Sequence, residues 1–463
     1  MIRKRAGQRS FSDAILFGAH IPDPKTLLDP VLRQLDDVLD GDELVDEVLE
    51  ALRKRHPLSR RRGRPGTPAE VVLRMLVLKH LRQWSFEELE WEVTGNVAYR
   101  AFCRIDSGKV PDAKTMIRIN QAVDPDTLRR VFDHVVAVAK RRGVTRGRRM
   151  RVDTTVVETT VRYPLDSGLC EDVTRVACRE MERVRAAGLP VPDTFRNVHR
   201  SVARRRWEID QINRRPTSRE KKLRALSRPY KRLLRITRRV VRQAAEVIQS
   251  ARRHRKVSGR VRRSLRVLEQ VVVHGRRVVL QARARIVRGE TKLKGKLVSI
   301  FEPHTQIIRK GKKSKPTEFG RAVKVQEAEG GIVTDIAVVN VADSALLESS
   351  IDVHKKHFGR APHLVAADRG FYSADNVEQA TAQGVRRVVI PKTGRRPPAV
   401  RERERTRAFR RARAWRAGGE ARISRLKRTF GMARCRYRGE AGLARCTYWA
   451  GIANNLVAIA RAT

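Results

Sequence analysis

The chain has 463 residues, enough for two or three domains, and carries 102 Lys and Arg against 50 Asp and Glu. Hydrophobic residues make up 41% of it, which excludes a disordered basic tail. A formal net charge of +52 calls for a polyanionic partner, with nucleic acid as the first candidate and a membrane surface as the second.

The sequence predicts neither a membrane span nor a disulfide framework. No apolar run approaches the roughly 18 residues of a spanning helix, and AILFGAHI is too short and interrupted for a signal peptide. We therefore expect a cytoplasmic protein without a membrane partner. Five scattered cysteines without a CxxC motif favour reduced thiols over a zinc site. They are Cys103, Cys170, Cys178, Cys435 and Cys446.

An acidic segment opposes the general charge of the chain. Residues 29–51 contain nine acids and one Arg, with Leu and Val at roughly helical spacing. The pattern predicts a pair of amphipathic helices with a solvated face, and the alternative is a contact with a basic partner surface. We treat residues 1–60 as an N-terminal acidic helical segment.

The next helices are predicted from their capping residues. After a basic loop, SRRRGRPG, Thr67 and Glu70 fit a capping box, and Ser85 and Glu88 fit a second one. Asp112 opens a third helical stretch. Short helices joined by tight turns can form a helix-turn-helix that reads DNA, although many non-binding bundles look the same. Residues 61–145 are therefore a helical candidate for DNA binding.

The pattern changes near residue 146. RRMRVDTTVVETTV predicts a strand, and a basic helical stretch follows at about 170–270. Between 200 and 266 there are 25 Lys and Arg against four Asp and Glu, which favours contact with phosphates over a merely solvated face. Strands are predicted again in VVVHG, RVVLQARARIV, KLVSIFEP and TQIIRKG, and AVKVQEAEGGIVTDIAVVN predicts a hairpin.

The C-terminal part is predicted to alternate strands and helices. SALLESSIDVHKKHFG predicts a helix, while LVAA and VRRVVIPK predict strands. Asp375 and Glu378 fit a capping box for the helix between those strands, which implies a parallel pair with a right-handed crossover. Residues 400–430 are predicted as one helix, and WAGIANNLVAIAR as a final apolar one.

Two aspartates occupy unusual positions in predicted strands. Asp368 ends the apolar strand LVAA, at the strand end where open α/β sheets bind ligands, although it could merely cap the next turn. Asp153 lies inside the strand MRVDTTVV, where a carboxylate needs a metal, water or a partner such as Arg151. The two aspartates together therefore suggest a site that neither would indicate alone.

A third acid lies on a predicted helix downstream. Arg416, Glu420 and Lys427 fall within about 60° of one helix face. That face could bring a carboxylate to a metal and cations to DNA phosphates, or it could be a surface salt-bridge ladder. Gly418 and Gly419 would permit close approach by another backbone. Three acids on separate elements suit Mg²⁺, and two such ions could stabilise an in-line displacement at phosphorus.

These stretches carry a family resemblance. RRMRVDTTVVET, HLVAADRGFYS and GGEARISRLKRTFG resemble the three acidic motifs of DDE transposases of bacterial insertion sequences, most closely the ISNCY-type group. GTPAEVVLRMLVLKHLRQWSFEELE, KVPDAKTM and SIFEPHTQIIRKGKKSKPTEFG are similar to other parts of that group, so the resemblance covers most of the chain. Arg416, Glu420 and Lys427 match a Tyr-x2-Arg-x3-Glu-x6-Lys signature, in which Arg413 stands where the Tyr would be.

The resemblance implies a fold and a set of site residues. The fold is α/β, an RNase H-like mixed-sheet core over residues 146–463 with a long basic helical insertion, preceded by an all-α N-terminal domain. Asp153, Asp368 and Glu420 would be the catalytic acids and the metal ligands. Arg416 and Lys427 would bind DNA. Arg369, beside Asp368, is a further candidate for DNA contact, with an ion pair as the alternative.

The resemblance also implies a reaction and partners. The reaction is Mg²⁺-dependent cleavage at transposon ends, with Mn²⁺ able to substitute, followed by joining of a 3′-hydroxyl to target DNA. The partners are terminal inverted repeats, target DNA and a second copy of the chain, in a homodimer or larger assembly at the bacterial nucleoid. Two alternatives stay open: a non-catalytic DNA-binding protein, such as a decayed transposase, and a metal-dependent nuclease without a joining step.

Overall fold

The computed structural model describes residues 4, 24–55, 66–106, 108–254, 257–290, 292–309, 316–392 and 394–462. AILFGAHI and most of the loop SRRRGRPG lie outside these residues. The chain divides into two compact units, the first made of Met1–Glu158 and Arg321–Thr463 and the second of Thr159–Gly320. Within the described ranges, no helix combines the length and the apolar character needed to cross a bilayer.

Helices fill the N-terminal part of the first unit. They are α1 (Pro30–Leu39), α2 (Asp42–Arg55), α3 (Ala69–Arg82), α4 (Phe86–Gly95), α5 (Val97–Phe102), α6 (Ala113–Ala122) and α7 (Pro125–Arg141). The predicted helix pair is confirmed by α1 and α2, but its acidic face is not simply solvated, because Asp36 is buried and pairs with Arg74 at 2.7 Å. The capping box of Ser85 and Glu88 is present at the start of α4, and the Asp112 side chain caps α6.

The capping box predicted at Thr67 is wrong. Pro68 is the N-cap residue of α3 and makes no side-chain cap. The Glu70 carboxylate instead pairs with Arg74 at 3.3 Å and with Arg104 at 3.7 Å, and all three side chains are buried. Glu70 therefore forms buried ion pairs and does not take part in a capping box at the start of α3.

The second unit is built from long helices, α8 (Asp166–Ala186), α9 (His199–Arg214), α10 (Arg219–Arg252) and α11 (Gly259–Val287). Their apolar faces form one continuous core. The strands predicted in VVVHG and RVVLQARARIV are wrong, because both segments lie in α11. KLVSIFEP also lies outside the strands of the described chain, whereas TQIIRKG contributes a short one.

The C-terminal helices are α12 (Leu347–Phe358), α13 (Ala374–Ala382), α14 (Pro398–Arg405), α15 (Arg407–Thr429) and α16 (Gly439–Ala462). The single helix predicted over 400–430 is wrong, because the chain is extended at Thr406, whose hydroxyl caps α15. The capping box predicted from Asp375 and Glu378 is also wrong, since Ser373 caps α13 by accepting a hydrogen bond from the Asn376 backbone N–H.

The strands are β1 (Arg149–Thr159), β2 (Gln306–Ile308), β3 (Glu318–Ala328), β4 (Val333–Val339), β5 (Leu364–Ala367), β6 (Arg387–Val389) and β7 (Arg434–Cys435). In the first unit the strand order is β4-β3-β1-β5-β6, and β7 pairs with β1. The predicted hairpin is confirmed by antiparallel β3 and β4, and the predicted parallel pair by β5 and β6. The observed fold is therefore α/β with a mixed sheet.

Helices cover both faces of the parallel strands. On one face, Val152 of β1 and Ala367 of β5 share a core with α12 and α13. On the other face, Ala366 packs with Phe409 and Ala412 of α15. Successive side chains alternate between faces, so residues 151 and 153 of β1 point toward the α15 side. Residues 151 and 153 of β1 and Ala366 of β5 therefore lie on the face of the sheet that α15 covers.

Candidate active site

Asp153 and Asp368 occupy neighbouring positions at the ends of the strand register. The parallel pairing of β1 with β5 reaches Val152 and Ala367, and each aspartate is the next residue on its chain. Adjacent strands are about 4.8 Å apart. Asp153 accepts a hydrogen bond from the Thr154 backbone N–H at 2.7 Å, and Asp368 does the same from Arg369 at 2.7 Å. Asp368 therefore caps its turn through one oxygen, and a carboxylate has further lone pairs for a ligand.

Glu420 is linked to this pair through Arg416. One guanidinium nitrogen of Arg416 lies 3.5 Å from the Asp153 carboxylate, and the other lies 3.1 Å from the Glu420 carboxylate. The Arg416 side chain is 17% exposed, whereas that of Glu420 is 69% exposed. The structure thus contains the intrahelical ion pair of the predicted ladder, and the same Arg ties it to the strand aspartate.

The sequence analysis missed one buried acid, Glu327, which pairs with two arginines of β1 and α15. Glu327 of β3 pairs with Arg151 at 2.7 Å and with Arg422 of α15 at 3.1 Å, and its side chain is 3% exposed. Arg422 also donates to Asn454 of α16 at 2.9 Å. The ion pairs fasten α15 to the sheet. In the sequence, Glu327 is a charged residue within the predicted hairpin. Nothing local indicates that Arg151 and Arg422 are its partners.

The glycines of α15 make room for one of those partners. A Cβ added at Gly418 would lie 2.6 Å from Arg151 Nη1, and one at Gly419 would lie 3.5 Å from Arg151 Cδ. Arg151 also donates to the Trp415 carbonyl and lies over the Trp415 ring at 4.8 Å. The predicted close approach at Gly418 and Gly419 is therefore confirmed. The group that approaches is the Arg151 side chain, whereas another backbone was expected.

A further carboxylate approaches the turn after β5. The Asp343 Oδ2 atom would be 3.0 Å from a Cβ added at Gly370, so this turn tolerates no larger residue without a shift. Asn376 donates to the carbonyls of Ser344 and Phe371 at 2.7 and 2.8 Å, which fixes the turn. The sequence analysis did not identify Asp343, and a lone Asp in a loop gives no signal of this proximity.

The amino end of β1 is fixed by another acid. The Glu329 carboxylate accepts hydrogen bonds from the backbone N–H groups of Arg146, Arg148 and Arg149 at 2.9 to 3.0 Å. Burial opposes ionisation, but these donors prevail and hold the pKa of Glu329 below its ordinary value. The strand that carries Asp153 is thus anchored on a charged acceptor in the hairpin turn.

The carboxylates fit a hard divalent cation by donor type, because such ions prefer oxygen ligands. A cavity of about 10 Å³ borders Asp153, Arg416 and Glu327, enough for about one water. Across the described residues, no group of three or more His, Cys, Asp or Glu side chains is already arranged as a metal site. Arg416 would therefore have to move before Asp153 and Glu420 could share an ion.

The other predicted DNA contacts lie at the edges of this site. Arg369 directly follows Asp368 and is exposed. Lys427 is half-buried, two helical turns beyond Glu420 on α15. Arg413, at the position of the signature Tyr, is exposed one turn before Arg416.

Comparison with known families matches two parts of the chain. Residues 17–122 match a model described as a transposase domain (DUF772), and residues 295–456 match one described as a transposase DDE domain. The second match includes Asp368 and Glu420, while Asp153 precedes it. No curated protein and no solved structure gives a significant match.

The match to a transposase DDE domain implies a metal-dependent enzyme that cleaves DNA. The chain belongs to the DDE transposases of insertion sequences. It accordingly binds DNA, depends on divalent metal ions and acts in DNA recombination by transposition.

Proposed function

We propose that Asp153, Asp368 and Glu420 are the catalytic acids and metal ligands of this transposase. The observation that carries the proposal is the strand register that sets Asp153 beside Asp368, with Glu420 linked to Asp153 through Arg416. We propose further that the core is RNase H-like, as in the ISNCY-type group. An antiparallel hairpin joined through β1 to parallel strands supports this proposal.

The chain's own residues would hold the reacting DNA in place. Bound Mg²⁺, or Mn²⁺ in its place, would supply charge stabilisation for both the attacking and the leaving oxygen at phosphorus. Arg416 would leave the carboxylates and, with Lys427 and Arg369, contact the phosphates beside the scissile bond. The Glu327 ion pairs would keep α15 and its Glu420 in position while Arg416 moves.

The proposed reaction has two stages on two DNA partners. The first is cleavage at the terminal inverted repeats, and the second is transfer of the freed 3′-hydroxyl to target DNA. Because two ends must be joined in one event, we propose a homodimer or larger assembly at the bacterial nucleoid. The helical part at 61–145 would bind DNA alongside a catalytic part at 146–463, with the acidic segment at 1–60 and the basic insertion at about 170–270.

The test uses Asp368→Asn and labelled duplexes that carry the ends of the element. Asn can still cap the turn, so the fold is retained while an ionised ligand is lost. We expect cleavage in Mg²⁺ to fall by at least a hundredfold and at least one titratable Mn²⁺ site to disappear. Asp375→Asn, on the exposed first turn of α13, is the matched control and should cleave like the unmodified chain.

Cleavage by Asp368→Asn at the unmodified rate would refute the metal role. Adding a supercoiled target plasmid separates the reaction classes. Joined products support a transposase that transfers strands, whereas cuts without joined products support a nuclease. Tight DNA binding without cuts in either metal would favour the non-catalytic alternative.

A further inference from the structure

An open groove in the second unit is lined by cations. It lies along α10 and the end of α11, and has a volume of about 640 Å³. Its polar lining consists of Lys231, Arg235, Arg238, Arg239, Arg242 and Arg283. Leu234 and Val287 complete the lining as apolar contacts, and no acid borders the groove in the part of the chain that the structure describes.

The cations follow the helical repeat of α10. Lys221, Arg228, Arg235 and Arg242 are seven residues apart and all exposed, so they align along one face about every two turns. Buried residues such as Leu233 and Val240 occupy the opposite face. At 1.5 Å per residue, this row of cations extends over about 32 Å, close to one turn of a DNA duplex at about 34 Å.

The central cations of the groove lack compensating acids. Lys231, Arg235, Arg238 and Arg239 make no ion pair with any residue that the structure describes. Elsewhere on α10, by contrast, Arg224 pairs with Glu220 at 2.7 Å and Arg242 with Glu246 at 3.6 Å.

Like charges this close repel one another, and a polyanion relieves the repulsion by binding while its counterions are released. Some other exposed arginines of the same unit do have acidic partners, since Arg252 and Arg288 face Glu269 and Glu290 at 3.3 and 3.0 Å.

We infer that this groove is a docking surface for the sugar–phosphate backbone of duplex DNA, contacted chiefly by Arg235, Arg238 and Arg239. Guanidinium groups match phosphate oxygens in a bidentate geometry, and an evenly spaced row matches a regular polyanion better than it matches an acidic peptide. The inference rests on the proposed function for its DNA substrate, but it assigns binding to a unit that carries none of the three proposed catalytic acids.

The test compares two triple variants of the full chain that each lose three positive charges. One is Arg235→Gln with Arg238→Gln and Arg239→Gln. The matched control replaces three ion-paired arginines of the same unit that lie outside the row, Arg183→Gln with Arg252→Gln and Arg288→Gln. Fluorescence anisotropy gives the Kd for a 30-base-pair duplex between 50 and 300 mM NaCl.

The slope of log K against log salt is negative, and each lost phosphate contact reduces its magnitude by about 0.9. We therefore expect the groove variant to reduce the magnitude of that slope by about 2.7 and to raise Kd by roughly 10- to 100-fold at 100 mM NaCl. The control should change the slope by less than 1. Equal losses in both triples, or no loss in the groove variant, would overturn the inference.

Two further measurements identify the source of any failure. Polyglutamate at equal charge should displace the duplex poorly, and displacement as efficient as by competing duplex would instead indicate an acidic protein partner. Asp368→Asn should bind the duplex like the unmodified chain while failing to cleave it. If Asp368→Asn cleaves normally, the proposed catalytic role fails while the groove result stands. If instead Asp368→Asn fails to cleave but the groove variant binds the duplex normally, the groove inference fails while the catalytic role stands.

Discussion

The guanidinium of Arg416 lies 3.5 Å from the carboxylate of Asp153 through one nitrogen and 3.1 Å from the carboxylate of Glu420 through another. The same group that would hold a phosphate in the DNA complex therefore neutralises the acids in the free protein. This double use predicts that one substitution will change metal binding and DNA cleavage in opposite directions.

Arg416→Gln should lower the Kd for Mn²⁺ in the DNA-free protein by about tenfold, equivalent to about 1.4 kcal/mol, because the Arg416 guanidinium no longer competes for the carboxylates. DNA cleavage should slow at least tenfold, since a phosphate contact is lost. Calorimetric titration and initial cleavage rates measure the two effects. Arg413→Gln, exposed one turn earlier, is the control and should leave Mn²⁺ affinity unchanged. Weaker Mn²⁺ binding in Arg416→Gln would contradict the competition.

Glu327→Gln should destabilise the protein by roughly 3–5 kcal/mol, because it leaves the partly buried guanidiniums of Arg151 and Arg422 without their carboxylate. Cleavage should also fall, since α15 loses its main polar attachment to the sheet. Urea denaturation monitored by circular dichroism gives the free energy of unfolding. Glu402→Gln, on exposed helix α14, should change it by less than about 0.5 kcal/mol. A similar small effect at both positions would show that the buried ion pairs do not anchor the helix.

The parallel strands and the two strand aspartates could be predicted from the sequence because their signals are local. The apolar run LVAA ends on Asp368, and Asp153 lies inside the β-branched run MRVDTTVV, so both segments are predicted as strands. The structure then shows that the two strands pair in parallel and bring the aspartates to neighbouring positions. Helical spacing in the sequence places Glu420 on one helix face, but no local pattern indicates that this face packs beside the sheet. The contacts that place it there, through Arg151 and Glu327, join residues far apart in sequence and leave no local pattern.

The strands wrongly predicted in α11 show where propensity misleads. Val271, Val272, Val278 and Val279 are β-branched, and they suggested strands. They are buried at positions i, i+1, i+7 and i+8, which is a helical period. Gly275 ends the first of these segments, and a Cβ there would lie 2.7 Å from Val241 of α10, so the glycine permits a close helix–helix contact. Tertiary packing therefore overrides the intrinsic preference of valine.

Gly147→Ala should destabilise the protein by roughly 3 kcal/mol or more. Gly147 has φ +64°, and a Cβ there would overlap the Phe358 ring. Gly147 lies two residues before β1, so the displacement would reach the strand that carries Asp153. Gly143→Ala is the matched control, with φ +71° and nothing within 4 Å of an added Cβ. It should cost about 1 kcal/mol from backbone strain alone. Equal losses of unfolding free energy would show that the Phe358 contact adds nothing.

His354 should make the protein less stable as pH falls from about 6.5 to about 4. Burial lowers the pKa of His354 to about 4 in the folded chain, against 6.5 for an ordinary histidine. Its Nε2–H donates to the Gly147 carbonyl at 2.9 Å, while Nδ1 is buried with no hydrogen-bond partner in the described structure. Protonation would therefore bury a second N–H without an acceptor.

The sign of this effect follows from proton binding. Between the two pKa values the unfolded chain binds the proton and the folded chain does not, so the stability contributed by neutral His354 is full above pH 6.5 and is lost on acidification. The shift corresponds to roughly 3 kcal/mol by pH 4. Urea denaturation across pH 4 to 7 should show a shallower pH dependence for His354→Gln than for His363→Gln, which removes an exposed histidine. Identical pH profiles for the two variants would assign the acid sensitivity to other groups.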